Sequence, residues 1–256
     1  MKLGFIGVGT IASAIVNGFC KDDCKEHEIY LSPRNEKKAT ELEKKYDNVY
    51  KCTSNQDVLD QADVIILAVI PRMAEEILKP LTFKATHTVV SFMSDFPVSK
   101  IENIIGNVHK VVRVLPLPFN AMCVGPVVVY PKDEEVCDLF TKVGNVIGVD
   151  QESKMEIMLA ITGVMSAYYG LTYEVEQWGE KAGLTRSESV GYTSAFFEAL
   201  SIQAGNCQNE DVNALANEYT PGGLNEMGLL EVRDKSHAYD AWVTALDQIL
   251  ARLQKK

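Results

Sequence analysis

Residues 2–15 restrict the fold of this chain more than any other stretch. They read KLGFIGVGTIASAI: apolar Leu3, Phe5 and Ile6, then Gly7-Val8-Gly9-Thr10-Ile11-Ala12, then an apolar-periodic helical pattern. A short buried strand ending in G-x-G-x-x-A and opening directly into a helix is the pattern of a phosphate-binding turn in an α/β sheet. Gly7 permits the tight strand-to-helix turn. Gly9 removes the Cβ that would hold a pyrophosphate off the backbone, and Ala12 lets helix and strand pack closely. The free N–H groups of the first helical turn, beginning with Thr10 and Ile11, and the positive end of the helix dipole then face the phosphates.

The pattern that follows agrees with this start. Apolar or β-branched runs at 2–6, 28–31, 64–68, 88–91, 110–114 and 127–130, with a weaker one at 145–149, read as strands. Helical patterns at 11–19, 36–46, 55–59, 72–78, 98–104 and 134–143 separate them. Such alternation predicts a doubly wound, mainly parallel α/β sheet over residues 1–150. After Asp150 the strand signal stops. Helical periodicity runs from 154 to 181 without proline, and again over 185–204, 211–219 and 239–254. Gly183 reads as a helix stop, and Thr185-Arg186-Ser187-Glu188 as a capped helix start. Residues 151–256 are therefore expected to form an all-α domain. Long helices rich in apolar and small residues in so small a domain point to burial against a second subunit, a plain intrachain core being the alternative.

Composition excludes several classes. A formal net charge of −10 argues against a nucleic-acid partner, which needs a basic face. No apolar stretch reaches the roughly 20 residues of a membrane helix. The first apolar run is broken by glycines and followed by Lys21-Asp22-Asp23, so it does not read as an export signal, and a cytoplasmic location is expected. The six cysteines (20, 24, 52, 123, 137 and 207) show no C-x-x-C pairs, which predicts reduced structural thiols and no metal site.

The end of the second strand bears on which nucleotide binds. An NAD site usually carries Asp or Glu there, bonding the ribose 2′-OH. Here the strand ends in Ser32-Pro33-Arg34, with Lys37 and Lys38 one turn on. A hydroxyl and a guanidinium suit a 2′-phosphate, because charge-assisted pairs to phosphate are strong and directional, so the residues favour NADP(H) over NAD(H). A solvated polar loop is the alternative. Two further strand ends, with Ala68, Val69 and Pro71 and with Ser91, are expected to line the same crevice and admit the nicotinamide half closely. Asn55 is either a plain helix cap or an adenosine-side contact. All four histidines (His27, His87, His109, His237) fall at strand starts or loops, where solvated or structural roles are expected.

Taken together, these segments resemble the pyrroline-5-carboxylate reductase family nearly end to end. The resemblance lies in the glycine turn, Ser32-x-Arg34, Asn55, Ala68-Val69-Ile70-Pro71 (similar to the family's A-V-K-P) and the spacing from Val90-Ser91 to Ile101-Glu102. Thr220-Pro221-Gly222-Gly223 resembles the family's S/T-P-G-G turn. It implies an N-terminal Rossmann domain binding NADPH and a C-terminal dimerisation domain of interlocking helices. The small-molecule substrate would lie between the nicotinamide and the Pro-Gly-Gly turn of the partner subunit. Thr220 and Asn225 then carry the catalytic contacts, and Ser166, Gly222, Gly223 and Leu224 bind substrate. Hydride passes to the carbon of a protonated cyclic imine, which needs orientation and a hydrogen-bond donor rather than a strong acid.

Three departures sit where substrate is expected. Leu224-Asn225 replace a small residue and Thr. Leu117-Pro118, within Arg113–Phe119 as 113–119 read RVLPLPF, replace an Asn-Thr pair. Ile161-Thr162-Gly163-Val164-Met165-Ser166-Ala167-Tyr168 replaces a G-S-G-P-A-Y loop. Losing polar groups from a buried polar site alters selectivity, because those groups enforce rejection. The expectation is NADPH-dependent reduction of a cyclic imine, pyrroline-5-carboxylate first. The alternatives are another imine, an oxo or hydroxy acid handled by Lys154, or nucleotide binding without turnover.

Overall fold

The computed structural model describes residues 1–106, 108–207 and 211–255. The chain divides into two compact units, Met1–Leu159 and Ala160–Lys256.

In the first unit, β1 (Lys2–Ile6), α1 (Thr10–Phe19), β2 (Glu28–Leu31), α2 (Glu36–Lys45), β3 (Val49–Lys51), α3 (Asn55–Gln61) and β4 (Val64–Leu67) follow in order. Then come α4 (Ala74–Leu78), β5 (Thr88–Ser91), α5 (Val98–Ile105), β6 (Lys110–Leu115), β7 (Pro126–Tyr130), α6 (Glu134–Phe140) and β8 (Asn145–Gly148). One eight-stranded sheet results, ordered β3-β2-β1-β4-β5-β6-β7-β8. The first six strands are parallel in the order of the Rossmann fold. β7 runs antiparallel to β6 and parallel to β8, so the sheet is mainly parallel, as expected.

Successive residues of a strand face opposite sides, and the apolar runs are buried on both. Leu3, Phe5, Val64 and Ile66 enter one core with Ile15, Phe19 and Phe140, whereas Ile6, Ile65 and Leu67 enter the other with Val58, Leu78 and Ile101. β3, three residues long and with only Val49 buried, carried no usable period in the sequence.

α7 (Glu152–Thr162) begins within the first unit. Met155 is fully buried with Leu115, Val128 and Val149, and this compact unit runs on to Leu159. The second unit continues with α8 (Met165–Lys181), α9 (Arg186–Asn206), α10 (Val212–Ala216), α11 (Leu224–Leu229) and α12 (Ala238–Gln254). Two details differ from the sequence reading. The helix expected over 154–181 breaks at Gly163-Val164, where a Cβ on Gly163 would come within 2.8 Å of Ile249 Cδ1. A wide π-type turn, Leu230–Lys235, extends α11, and this segment lacked a periodic signal.

Among the described residues of this unit, Ala160, Gly179, Ser189 and Thr193 are the buried ones. Trp178 and Tyr192 are each 71% exposed, and Tyr192, Phe196 and Leu200 form an exposed apolar stripe at i, i+4, i+8 along α9.

Candidate functional site

The carboxyl ends of β1, β2 and β4 open onto a cleft of about 340 Å³. Gly7, Val8 and Gly9 form its floor, Ser32, Arg34, Asn35 and Glu36 one wall, and Asn55, Ala68, Val69 and Ile70 the other. Gly7 adopts φ 98°, where a Cβ would stand 2.6 Å from the carbonyl oxygen of Ala68. Only glycine takes this backbone without strain. Gly9 is different. It caps α1 with φ −91°, and a Cβ there would meet no protein atom within 4 Å. The volume above Gly9 is open, and the first turn of α1 holds no acid.

The loop after β2 is tied to this floor. Ser32 is fully buried, and its Oγ accepts the Gly7 N–H at 2.8 Å. The hydroxyl thereby holds the glycine turn in shape at the wall of the cleft. Asn35 Nδ2 donates to the Val8 carbonyl at 2.9 Å, while its Oδ1 accepts from Lys38 N and caps α2. Lys38 Nζ donates to Thr10 Oγ1 at 3.2 Å. Arg34 is exposed, with Nη2 at 3.4 Å from Met73 Sδ. No carboxylate stands at the end of β2. The nearby Glu36 lies 3.6 Å from Lys51 Nζ.

Ser54, not Asn55, caps α3, accepting from Asp57 N at 3.0 Å, so Asn55 is not the plain cap and lines the cleft instead. Four expected contacts do not line it. Thr10 and Ile11 lie in the first turn of α1. Pro71 opens the 3-10 turn Pro71–Met73. Ser91 is buried and accepts from Met93 N at 3.2 Å. An open glycine floor, a helix start and cations at the end of β2 fit a dinucleotide carrying a 2′-phosphate.

In the second unit, Thr220 to Gly223 form a tight turn closed by Gly223 N–H donating to the Thr220 carbonyl at 2.8 Å. Gly222 takes φ 74°, and a Cβ on Gly223 would approach the Thr220 carbonyl oxygen to 2.8 Å, so both glycines are required by the turn. Gly222 N–H donates to Glu226 Oε2 at 2.6 Å. Leu224 is 82% exposed, and Thr220, Asn225 and Ser166 are exposed too.

Residues 2–95 match a family model described as "NADP oxidoreductase coenzyme F420-dependent". The pyrroline-5-carboxylate reductase of Corynebacterium melassecola is 26% identical, over 91% of this chain and 90% of that protein. The enzyme of that name from Vibrio alginolyticus is 27% identical, over 99% and 97%. A crystal structure of Plasmodium falciparum pyrroline carboxylate reductase with NADP bound superposes with a TM-score of 0.83 at 23% identity, covering 100% of this chain and 97% of that one. In sequence and in fold, this chain is similar to the pyrroline-5-carboxylate reductases.

Against that family's patterns, the departures have structural reasons. The Asn missing at 117 is not replaced functionally by Asn120. That side chain is buried, accepts Leu117 N–H at 2.6 Å and donates to the Val124 carbonyl at 2.9 Å, which shapes the turn Pro118–Met122. Arg113 is 3% exposed on β6. Its Nη1 donates to Glu152 Oε1 at 2.6 Å, its Nη2 donates to the Ser94 carbonyl, and Glu152 Oε1 also accepts Val98 N–H at 3.2 Å. The pair thus fixes the segment after β5 to the start of α7. Lys154 is exposed and paired with Asp150 Oδ1 at 2.5 Å, one turn back along the chain.

His87 is buried; burial holds its pKa below the usual histidine value, with Nδ1 accepting from Lys84 N and Nε2 at 3.1 Å from the Leu59 carbonyl. All six cysteines are free, and burial pushes the Cys20 and Cys52 thiols up to about 11, away from reactivity. Asn35 at the glycine turn and, in the second unit, Glu226 at the Pro-Gly-Gly turn complete the local geometry of each, and the sequence reading did not single them out. Asn35 and Glu226 carry the spacing of helix caps, so their partners in the tertiary structure were not visible.

Proposed function

We propose that the chain is an NADPH-dependent imine reductase whose first substrate is pyrroline-5-carboxylate, reduced to proline. The observation that carries this reading is end-to-end similarity to reductases of that name, running through both the glycine turn and the Pro-Gly-Gly turn. NADPH, when bound, supplies a hydride that, with one proton, turns a C=N bond into CH–NH. In this reading Gly7 and Gly9 seat the pyrophosphate against the start of α1, and Arg34 takes the 2′-phosphate. Asn55 faces the adenosine, while Ala68, Val69, Pro71 and Ser91 border the nicotinamide half.

Thr220 and Asn225 donate hydrogen bonds to the imine or its carboxylate, with Gly222, Gly223, Leu224 and Ser166 shaping the pocket. A cyclic imine is basic enough to be partly protonated near neutral pH, so these groups need only hold the protonated form in place. Residues 1–150 act as the cofactor domain and residues 151–256 as the substrate and dimer domain, in a cytoplasmic homodimer. The exposed Tyr192-Phe196-Leu200 stripe supports the dimer, because a patch of this kind favours burial against a second copy.

Purified protein with NADPH and pyrroline-5-carboxylate tests the reading directly. Proline formation with matching loss of absorbance at the NADPH band is expected; absence of both at millimolar substrate overturns it. The exposed Leu224 and the missing polar pair at Leu117-Pro118 favour a second reading, in which another cyclic imine without a carboxylate is preferred. Parallel kcat/KM values for the two substrate types separate the two.

A further inference from the structure

We infer that Glu226 is a specificity-determining residue: its carboxylate makes the Pro-Gly-Gly turn disfavour imines that carry a carboxylate, relative to imines that lack one. This rests on the reading above in which that turn faces the imine. Backbone N–H groups at a glycine turn are compact donors suited to holding an anion. Two such donors of this turn are already taken from within the chain. Gly222 N–H donates to Glu226 Oε2 at 2.6 Å, and Gly223 N–H donates to the Thr220 carbonyl at 2.8 Å. One of the two acceptors is an anion, so the turn carries negative charge on an amide that an incoming carboxylate would need.

The surrounding segment does not neutralise that charge. Residues 211–240 hold six acids and two bases, Arg233 and Lys235. Both bases are matched, Arg233 Nε to Asp234 Oδ1 at 2.6 Å and Lys235 Nζ to Glu231 Oε2 at 2.5 Å. Among the described residues the remaining pair of the segment is His237 with Asp240, and Glu226 belongs to none of the three. Glu226 is also the acid in the first turn of α11, so the positive end of that short helix already faces a carboxylate. A substrate carboxylate must displace Glu226 from the Gly222 amide or stand beside it, and either course brings two anions together at a half-buried side chain. A protonated ring without a carboxylate is a cation and meets attraction alone.

The test is steady-state reduction by the full chain of two probes, pyrroline-5-carboxylate and 1-pyrroline, the same ring without its carboxylate. Glu226→Gln keeps an oxygen to accept Gly222 N–H and removes only the charge, and an unchanged Tm checks that the turn is retained. The variant should raise kcat/KM for pyrroline-5-carboxylate by about fivefold or more without raising that for 1-pyrroline. The gain should lie in KM, because both probes present the same reacting C=N bond. Glu231→Gln removes a charge that is paired with Lys235 in the adjoining turn, and should move the ratio of the two kcat/KM values by less than about twofold. A second measurement needs no substitution. In the wild type the ratio should shift toward pyrroline-5-carboxylate as salt rises from about 0.05 to about 0.5 M, and in Glu226→Gln it should shift less.

An equal change for both probes in Glu226→Gln would reduce Glu226 to a cap of the turn, and the inference falls. It falls also if neither value changes, or if the wild type reduces pyrroline-5-carboxylate and leaves 1-pyrroline untouched. If Glu226→Gln does not fold, the wild-type salt dependence decides, and a ratio indifferent to salt overturns the inference. A wild type that reduces neither probe defeats the reading of this turn as an imine site, an outcome distinguishable because it precedes any substitution.

Discussion

Gly7 and Gly9 lie two residues apart in one turn and are expected to fail in opposite ways. Gly7→Ala places a Cβ at φ 98°, 2.6 Å from the Ala68 carbonyl oxygen. The left-handed backbone costs about 1–2 kcal/mol for an L-residue. The clash with main chain adds about 1–3 kcal/mol, because β1 and β4 are paired and cannot simply separate. The sum is about 2–5 kcal/mol, or a fall in Tm on the order of 10 °C for a protein of this size.

Gly9→Ala puts its Cβ into open space at an ordinary φ of −91°. The loss of a good capping residue, about 0.5–1 kcal/mol, is offset by about 0.4–1 kcal/mol of reduced chain entropy in the unfolded state. Stability should therefore hardly move. The same methyl fills the floor on which the pyrophosphate rests, and NADP+ affinity should fall by about tenfold or more, equivalent to about 1.4 kcal/mol. Scanning calorimetry without ligand and titration with NADP+ read the two effects separately. If Gly9→Ala binds NADP+ as tightly as the wild type, or loses as much Tm as Gly7→Ala, the assignment of that space to a ligand is refuted.

Other expectations follow from buried polar groups and the exposed helices. Glu152→Gln leaves the 3%-exposed Arg113 without its counter-charge, and urea denaturation should show a loss of about 3 kcal/mol. A change within experimental error would show that the pair is not needed to hold the segment after β5.

His87 is kept neutral by burial, so the unfolded chain takes up its proton near pH 6.5 and the folded chain only at lower pH. Stability should thus be full above about pH 6.5 and decline as pH falls from there toward the lowered folded value. His87→Gln should flatten that decline, and parallel pH profiles for the two proteins would remove His87 as its source. Phe196→Asp, in the middle of the α9 stripe, should convert a dimer to a monomer in light scattering. A wild type that already runs as a monomer contradicts the proposed assembly.

Much of the first unit was legible because its sequence repeats one physical rule. Strands buried on both faces must be continuous and apolar, as in Val64–Leu67, and the turns between them need glycine or a cap. β3 escaped because three residues, one of them buried, carry no period. The second unit was legible as helix but not in its breaks. Gly163 reads like any helical glycine until Ile249 is seen packed against it.

By itself, the sequence determined the local backbone. G-x-G-x-x-A dictates a turn that only small residues allow, and Pro-Gly-Gly dictates another, since both are governed by φ and by Cβ sterics within a few residues. It also specified the absence of a carboxylate at the end of β2, and hence the leaning toward a phosphorylated ribose.

Which side chains meet was decided only by the tertiary structure. It turned Ser32 inward onto Gly7 N, brought Lys38 across to Thr10 and gave Asn35 both its partners. Apart from the Asn35 cap on Lys38 N, these contacts join residues more than twenty positions apart, and the direction of a short polar side chain depends on what packs behind it as well as on its neighbours in sequence. The glycines prepare a floor for a phosphate. The packing of α2 against the sheet decides that Lys38 meets Thr10.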